Sequence, residues 1–155
     1  MSSTCLLPGT GVLRCDRVSV QEGLIVVHAT SRASCCRCPS CGQTSARVHS
    51  HYHRILADLP CQGRRVRVSW RSRKFFCDNS DCSQRIFTER RPEIAATHAR
   101  TTTRLNEALC HIAFACGGEG GARLAGKLGM PVSADTLLRV IRCSPTEEAP
   151  TPCGL

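Results

Sequence analysis

The residues with the most chemistry in this sequence are its cysteines. Cys38-Pro39-Ser40-Cys41-Gly42 sets two thiols three positions apart, with a glycine behind the second. A turn of this kind lets both sulfurs and nearby backbone N–H groups face one ion. Cys77 and Cys82 form a second, wider-spaced pair further along the chain. Two such pairs supply the four soft ligands that a tetrahedral zinc ion takes. Cys38, Cys41, Cys77 and Cys82 are therefore expected to hold one zinc ion. Four thiolates close its coordination shell and leave no position for a reacting water, so the ion is expected to be a staple and not a catalyst. Structural zinc contributes on the order of 10 kcal/mol of apparent binding energy to folding. Cys35 also stands three before Cys38 and offers a shifted register, but only Cys38-Cys41 carries both the proline and the glycine. Cys36 and Cys61 read as free thiols, Cys110 and Cys116 as core residues of an apolar helix. Cys5, Cys15, Cys143 and Cys153 carry no pairing signal. His49, His51 and His53 alternate, so a strand would put them on one face, as exposed polar groups, phosphate contacts or further ligands.

Charge is the second signal. The 155 residues carry a formal net charge of +9. Arg64, Arg65, Arg67, Arg71, Arg73, Lys74, Arg85, Arg90 and Arg91 fall in one stretch, against only Asp78, Asp81 and Glu89. Such a cluster suits a polyanion, most simply nucleic acid, although a solvated basic surface has the same composition. The preference for arginine over lysine leans toward phosphate, whose oxygens match the planar guanidinium fork.

Thirteen cysteines are far above ordinary usage. The opening MSSTCLLPGTGVLRCDR has no basic segment ahead of an apolar run, and Pro8 and Gly9 interrupt what apolar run there is. No signal peptide is expected, and no window is long and apolar enough for a membrane span. The odd cysteine count fits full disulfide pairing poorly. Metal binding with spare thiols, in a cytoplasmic and nucleoid-associated protein, is the expectation.

The elements that must position these residues follow from hydrophobic spacing. RCDRVSV and LIVVHAT read as two strands joined by a turn at Gln21-Glu22-Gly23. Strand character returns near Arg47-Val48-His49, and Asp58-Leu59-Pro60 reads as a break. Residues 64–76 read as a clear strand, with Val66, Val68 and Trp70 on one face and Arg65, Arg67 and Arg71 on the other or at its margin. Ile86-Phe87 gives a last short strand. Knuckle, strands, knuckle, strand is the order of a zinc ribbon. Beyond Arg91-Pro92 the pattern turns helical. Leu105, Leu109, Ile112 and Cys116 recur at helical spacing, and Gly117-Gly118 is expected to stop that helix. A second helix over 119–128 would turn Leu124, Ala125 and Leu128 inward. A third would follow, capped by Ser133, with Asp135 at its positive end.

The expected fold class is α+β: an N-terminal β-rich zinc ribbon followed by a small three-helix helix-turn-helix domain. The expected units are an N-terminal β-hairpin at 1–34, a zinc-ribbon-like domain at 35–92, a helix-turn-helix domain at 98–143 and an unstructured Pro-rich tail at 144–155. RLAGKLGMPVSADTLLRVIR resembles a helix-turn-helix with a turn somewhat longer than usual. There Ser133, Thr136, Arg139 and Arg142 would face DNA.

The segments CPSCG, RVHSHYHRILADLP, RRVRVSWRSRKFFC, IFTERRPEIA and GGEGGARLAGKLGMPVSADTLLRVIR together give residues 13–142 a family likeness. The chain resembles the N-terminal part of bacterial insertion-sequence transposases of the ISL-three family. That resemblance implies the same four cysteine ligands and a DNA-binding helical segment. It also implies a following RNase-H-like catalytic domain, opening on a Gly-Val-Asp-Asp stretch, with acidic residues for divalent metal. This sequence has only Glu147 and Glu148 beyond Asp135. Two-metal strand cleavage is therefore not expected, and the chain reads as a truncated transposase that is not an enzyme. The expected function is zinc-dependent binding of double-stranded DNA at the ends of a mobile element, through Arg64, Arg65, Arg67, Arg71, Arg73, Lys74 and the last helix. Two alternatives share these parts: a transcription regulator, and an interaction fragment that modulates full-length transposase or associates with itself.

Overall fold

The computed structural model describes Leu7 and residues 11–143. The expected tail at 144–155, Cys5 and Cys153 lie outside the described residues. Seven strands and two helices follow in order: β1 (Leu13–Gln21), β2 (Leu24–Ser31), β3 (Cys36–Arg37), β4 (Thr44–Ser45), β5 (Val48–Cys61), β6 (Arg64–Phe76), β7 (Ile86–Thr88), α1 (Thr103–Lys127) and α2 (Ala134–Cys143).

β1 and β2 form the hairpin that the alternation of apolar residues predicts, with Gly23 at φ 70° in its turn. The hairpin does not stand alone. β2 pairs in parallel with β6, and β6 pairs antiparallel with β5, so the main sheet runs β1-β2-β6-β5. β7 pairs with the far end of β6, and β3 with β4 as a separate short ladder. Leu13, Ile25, Val27, Ala29, Leu56, Val66, Val68 and Trp70 share one buried cluster with Ile94 and Ala95. The period of two along β6 accounts for this: even positions from Val66 to Ser72 turn inward, while Arg65, Arg67 and Arg71 stay exposed.

Asp58-Leu59-Pro60 does not break the chain. β5 runs through it, because β5 is an edge strand of the main sheet, where proline is tolerated. A register shift between Asp58 and Cys61 absorbs the irregularity. The outer edge of β5 is covered in turn. Ala57 donates its N–H to Arg100 O and accepts from Thr102 N–H at its own carbonyl. Asp58, buried, receives the Thr102 hydroxyl at 2.6 Å and the Arg104 Nε at 2.8 Å. Thr102 also caps α1 by accepting from Leu105 N–H.

The expected three-helix domain is not what forms: two helices follow the sheet. The first is interrupted at Gly117, where the sequence puts a stop: φ 68° and ψ −171° are non-helical, a conformation that glycine alone enters readily, and two helical stretches meet across this kink in one element that runs to Lys127. α2 packs on the second half of α1 through small residues. A Cβ on Gly121 would lie 2.9 Å from Leu137 Cδ1, and one on Gly118 would lie 3.2 Å from Leu138 Cγ. Leu105, Leu109, Ala113, Ala125 and Leu137 make this second core. Leu124 and Leu128, expected to face inward, are instead exposed; so is Cys116, while Cys110 is half-buried. The Ser133 cap is formed as the sequence implies, with its Oγ accepting from Thr136 N–H.

Candidate metal centre and basic surface

Two turns bring the four cysteines together. The first lies between β3 and β4. Cys38 N–H donates to Gln43 O, Gly42 N–H donates to Cys38 O, and Gly42 takes φ 75° to close the turn. The second lies between β6 and β7. Cys77 N–H donates to Arg85 O and Cys82 N–H to Asn79 O, while Gln84 N–H donates to the Cys82 sulfur at 3.4 Å. The four Sγ atoms lie within 4.8 Å of one another, Cys41 to Cys77 at 3.5 Å and Cys38 to Cys82 at 3.9 Å. A tetrahedron of Zn–S bonds near 2.3 Å has S···S edges of about 3.8 Å, so the donor set fits zinc. Cys35 is exposed and outside this cluster; Cys36 packs against its apolar side without joining it.

Ionisation of the set points the same way. Burial pushes the Cys38 thiol up, but the backbone N–H groups of Cys41 and Ser40 and the thiols of Cys41 and Cys77 outweigh it and hold Cys38 at about 7. At Cys77 the Asn79 amide favours the thiolate. Burial and the crowded thiols of Cys41, Cys38 and Cys82 prevail and push Cys77 up to about 12. Cys38 thus ionises readily while Cys77 resists, a conflict that a bound dication removes. Phe75 and Phe87 stack at 5.8 Å behind Cys38 and Cys82, giving the centre its own small core.

Phe75 reveals how one strand serves two cores. It shares the face of Arg65, Arg67 and Arg71, not that of Val66 and Trp70. β6 therefore buries one face along most of its length and the other face at its zinc end. Arg73, on this second face, is turned inward with it. Its guanidinium donates to both Glu89 oxygens, at 2.9 and 3.3 Å, and to Ala33 O at 2.6 Å. Glu89, fully buried, also accepts from Arg91 Nε. Lys74 projects from the opposite face, with its Nζ 5.9 Å from the centre of the Tyr52 ring. Arg64 is exposed at the hairpin end beside Cys61.

Arg65, Arg67 and Arg71 remain together on the open face of the sheet. Register places His51 and His53 of β5 beside Arg73 and Arg71, and His28 of β2 beside Ser69. Arg17 of β1 joins this face, with its Nη2 3.3 Å from His28 Nε2. The sequence singled out neither Arg17 nor His28, since only the sheet register links them to β6. Asp16, the carboxylate on this face, is engaged by Arg14 and by the Thr30 hydroxyl. Thr136, Arg139 and Arg142 lie on α2 and Ser133 caps it, with Arg139 and Arg142 exposed.

Fold and centre define this part of the chain as a four-cysteine zinc ribbon. A family model described as the zinc-finger of transposase IS204/IS1001/IS1096/IS1165 matches residues 35–82, from ahead of the first knuckle to the last ligand. This segment is accordingly similar to that transposase zinc finger, and its four cysteines are placed to hold one zinc ion. No curated protein and no solved structure matches the chain. Among the described residues, no helix is long and apolar enough to cross a membrane.

Proposed function

We propose that the chain is a nucleic-acid-binding module whose zinc ribbon is structural and whose contact surface is the open face of the sheet. The observation that carries this reading is the gathering of Arg17, Arg65, Arg67 and Arg71, with His28, His51 and His53, on one exposed sheet face. Guanidinium groups on a flat, hydrogen-bonded scaffold meet phosphate oxygens without loss of order in the backbone that carries them. The transposase zinc-finger match supports DNA as the polymer, and double-stranded mobile-element ends as its source. A closed four-thiolate site supports a binding role for the ribbon over a catalytic one. Arg73, bound to Glu89, is a structural residue in this reading and not a DNA contact.

The test compares a labelled duplex bound to the zinc-loaded chain and to Arg65→Gln/Arg67→Gln/Arg71→Gln. Each phosphate contact contributes about 0.9 to the salt slope of log K. The triple variant should lose between two and three units of slope and bind more than about tenfold more weakly at moderate salt. Equal affinity and slope would refute the sheet face as the contact surface.

A further inference from the structure

A cleft of about 880 Å³ separates the β5–β6 end of the sheet from the turn before α2 and from α2 itself. Arginines reach it from three elements: Arg65 and Arg67 from β6, Arg100 from the segment beside β5, and Arg139 from α2. All four are exposed, and among the described residues their side chains make no ion pair or hydrogen bond. The one carboxylate in the lining is Asp58, already held by Thr102 and Arg104. The cleft is therefore strongly positive, with nothing inside to balance it.

Its walls are also fixed. Arg54 donates to the carbonyls of Ala96 and Ala99 at 3.1 and 2.9 Å, and Ala57 N–H binds Arg100 O at 2.8 Å. These contacts hold His98, another lining residue, at φ 63°, in the left-handed region that few non-glycine residues adopt. On the opposite wall Gly129 approaches Pro60 so closely that a Cβ would lie 3.3 Å from the proline Cβ.

We propose that this cleft seats the phosphodiester backbone of a nucleic acid, extending the contact from the sheet face to α2. The proposal rests on the nucleic-acid reading above and adds a site that the zinc-ribbon segment at 35–82 does not span. Size and lining select the ligand. One water in liquid occupies about 30 Å³, so the volume suits a run of chain and not a single ion. No aromatic ring besides His98 lines the cleft, so it offers cations for phosphates and little platform for stacked bases.

The experiment follows duplex binding by the zinc-loaded full chain across a salt series. Arg100→Gln/Arg139→Gln lies off the sheet face. It should lower the salt slope by about two units at 0.9 per contact, with circular dichroism and zinc content unchanged. Arg100→Lys/Arg139→Lys should keep the slope, since it keeps the charge. An unchanged slope in the glutamine pair, or an equal loss in the lysine pair, overturns the cleft and leaves the sheet face standing. Absence of duplex binding by the wild-type chain overturns both. Inorganic phosphate at matched ionic strength should not abolish the difference between wild type and the glutamine pair. If it does, the cleft is a free-anion site and the backbone assignment falls.

Discussion

Glu89 places a carboxylate at zero side-chain exposure between Arg73 and Arg91. Removing water from such a group is costly unless its partners stay in place, so its loss is felt as two stranded guanidinium groups. Glu89→Gln should destabilise the chain by about 3 kcal/mol in urea unfolding. Arg71→Gln, on the open face, should change stability by less than about 0.5 kcal/mol. Equal effects would show that Arg73 and Arg71 are not divided between structure and surface. The division was hidden in the sequence. Arg71 and Arg73 share strand parity, and nothing local shows that the burial face changes between them. The four ligands, by contrast, were legible, because knuckle chemistry is local: a short thiol spacing, a proline and a glycine.

Among the elements, β6 decides the architecture. Its even face completes the core of the main sheet, and its last turn-in, at Phe75, completes the core around the zinc. These cores are separate clusters, so metal removal should not unfold the whole chain. With zinc chelated, or in Cys38→Ser, amide protection should collapse over 36–47 and 75–88 and persist in β2 and in residues 65–70 of β6. Hydrogen exchange resolves the two regions. Uniform collapse would mean that the sheet core cannot stand without metal. β1, β2 and β6 were legible from alternation, β6 with its observed bounds; β5 was legible only near Val48, because Asp58-Leu59-Pro60 reads as a break, and the short β3–β4 ladder was hidden in the cysteine-rich turn. The parallel β2–β6 pairing was not legible either, since residues far apart in sequence meet there without a turn to announce them. The helices misled for a related reason. Gly117 does break the helical geometry, but Gly118 and Gly121 pack against Leu138 and Leu137, and the two stretches stay joined as one kinked element.

At the scale of the molecule, zinc end, basic sheet face and basic cleft form a sequence of sites along β6. The ribbon anchors one end of that strand, the open face runs along its middle, and the cleft takes up its arginines at the other end. Composition alone announced the positive charge but not its arrangement, because charge becomes a surface only once strands are paired. The most direct measurement is therefore one that locates the contact: an amide-resolved NMR titration of the zinc-loaded chain with a short duplex at moderate salt. Saturable shifts are expected on Arg17, His28, His51, His53 and residues 65–71, weakening as salt rises. Shifts that avoid these strands, or no saturable change at all, would contradict a contact on this sheet face.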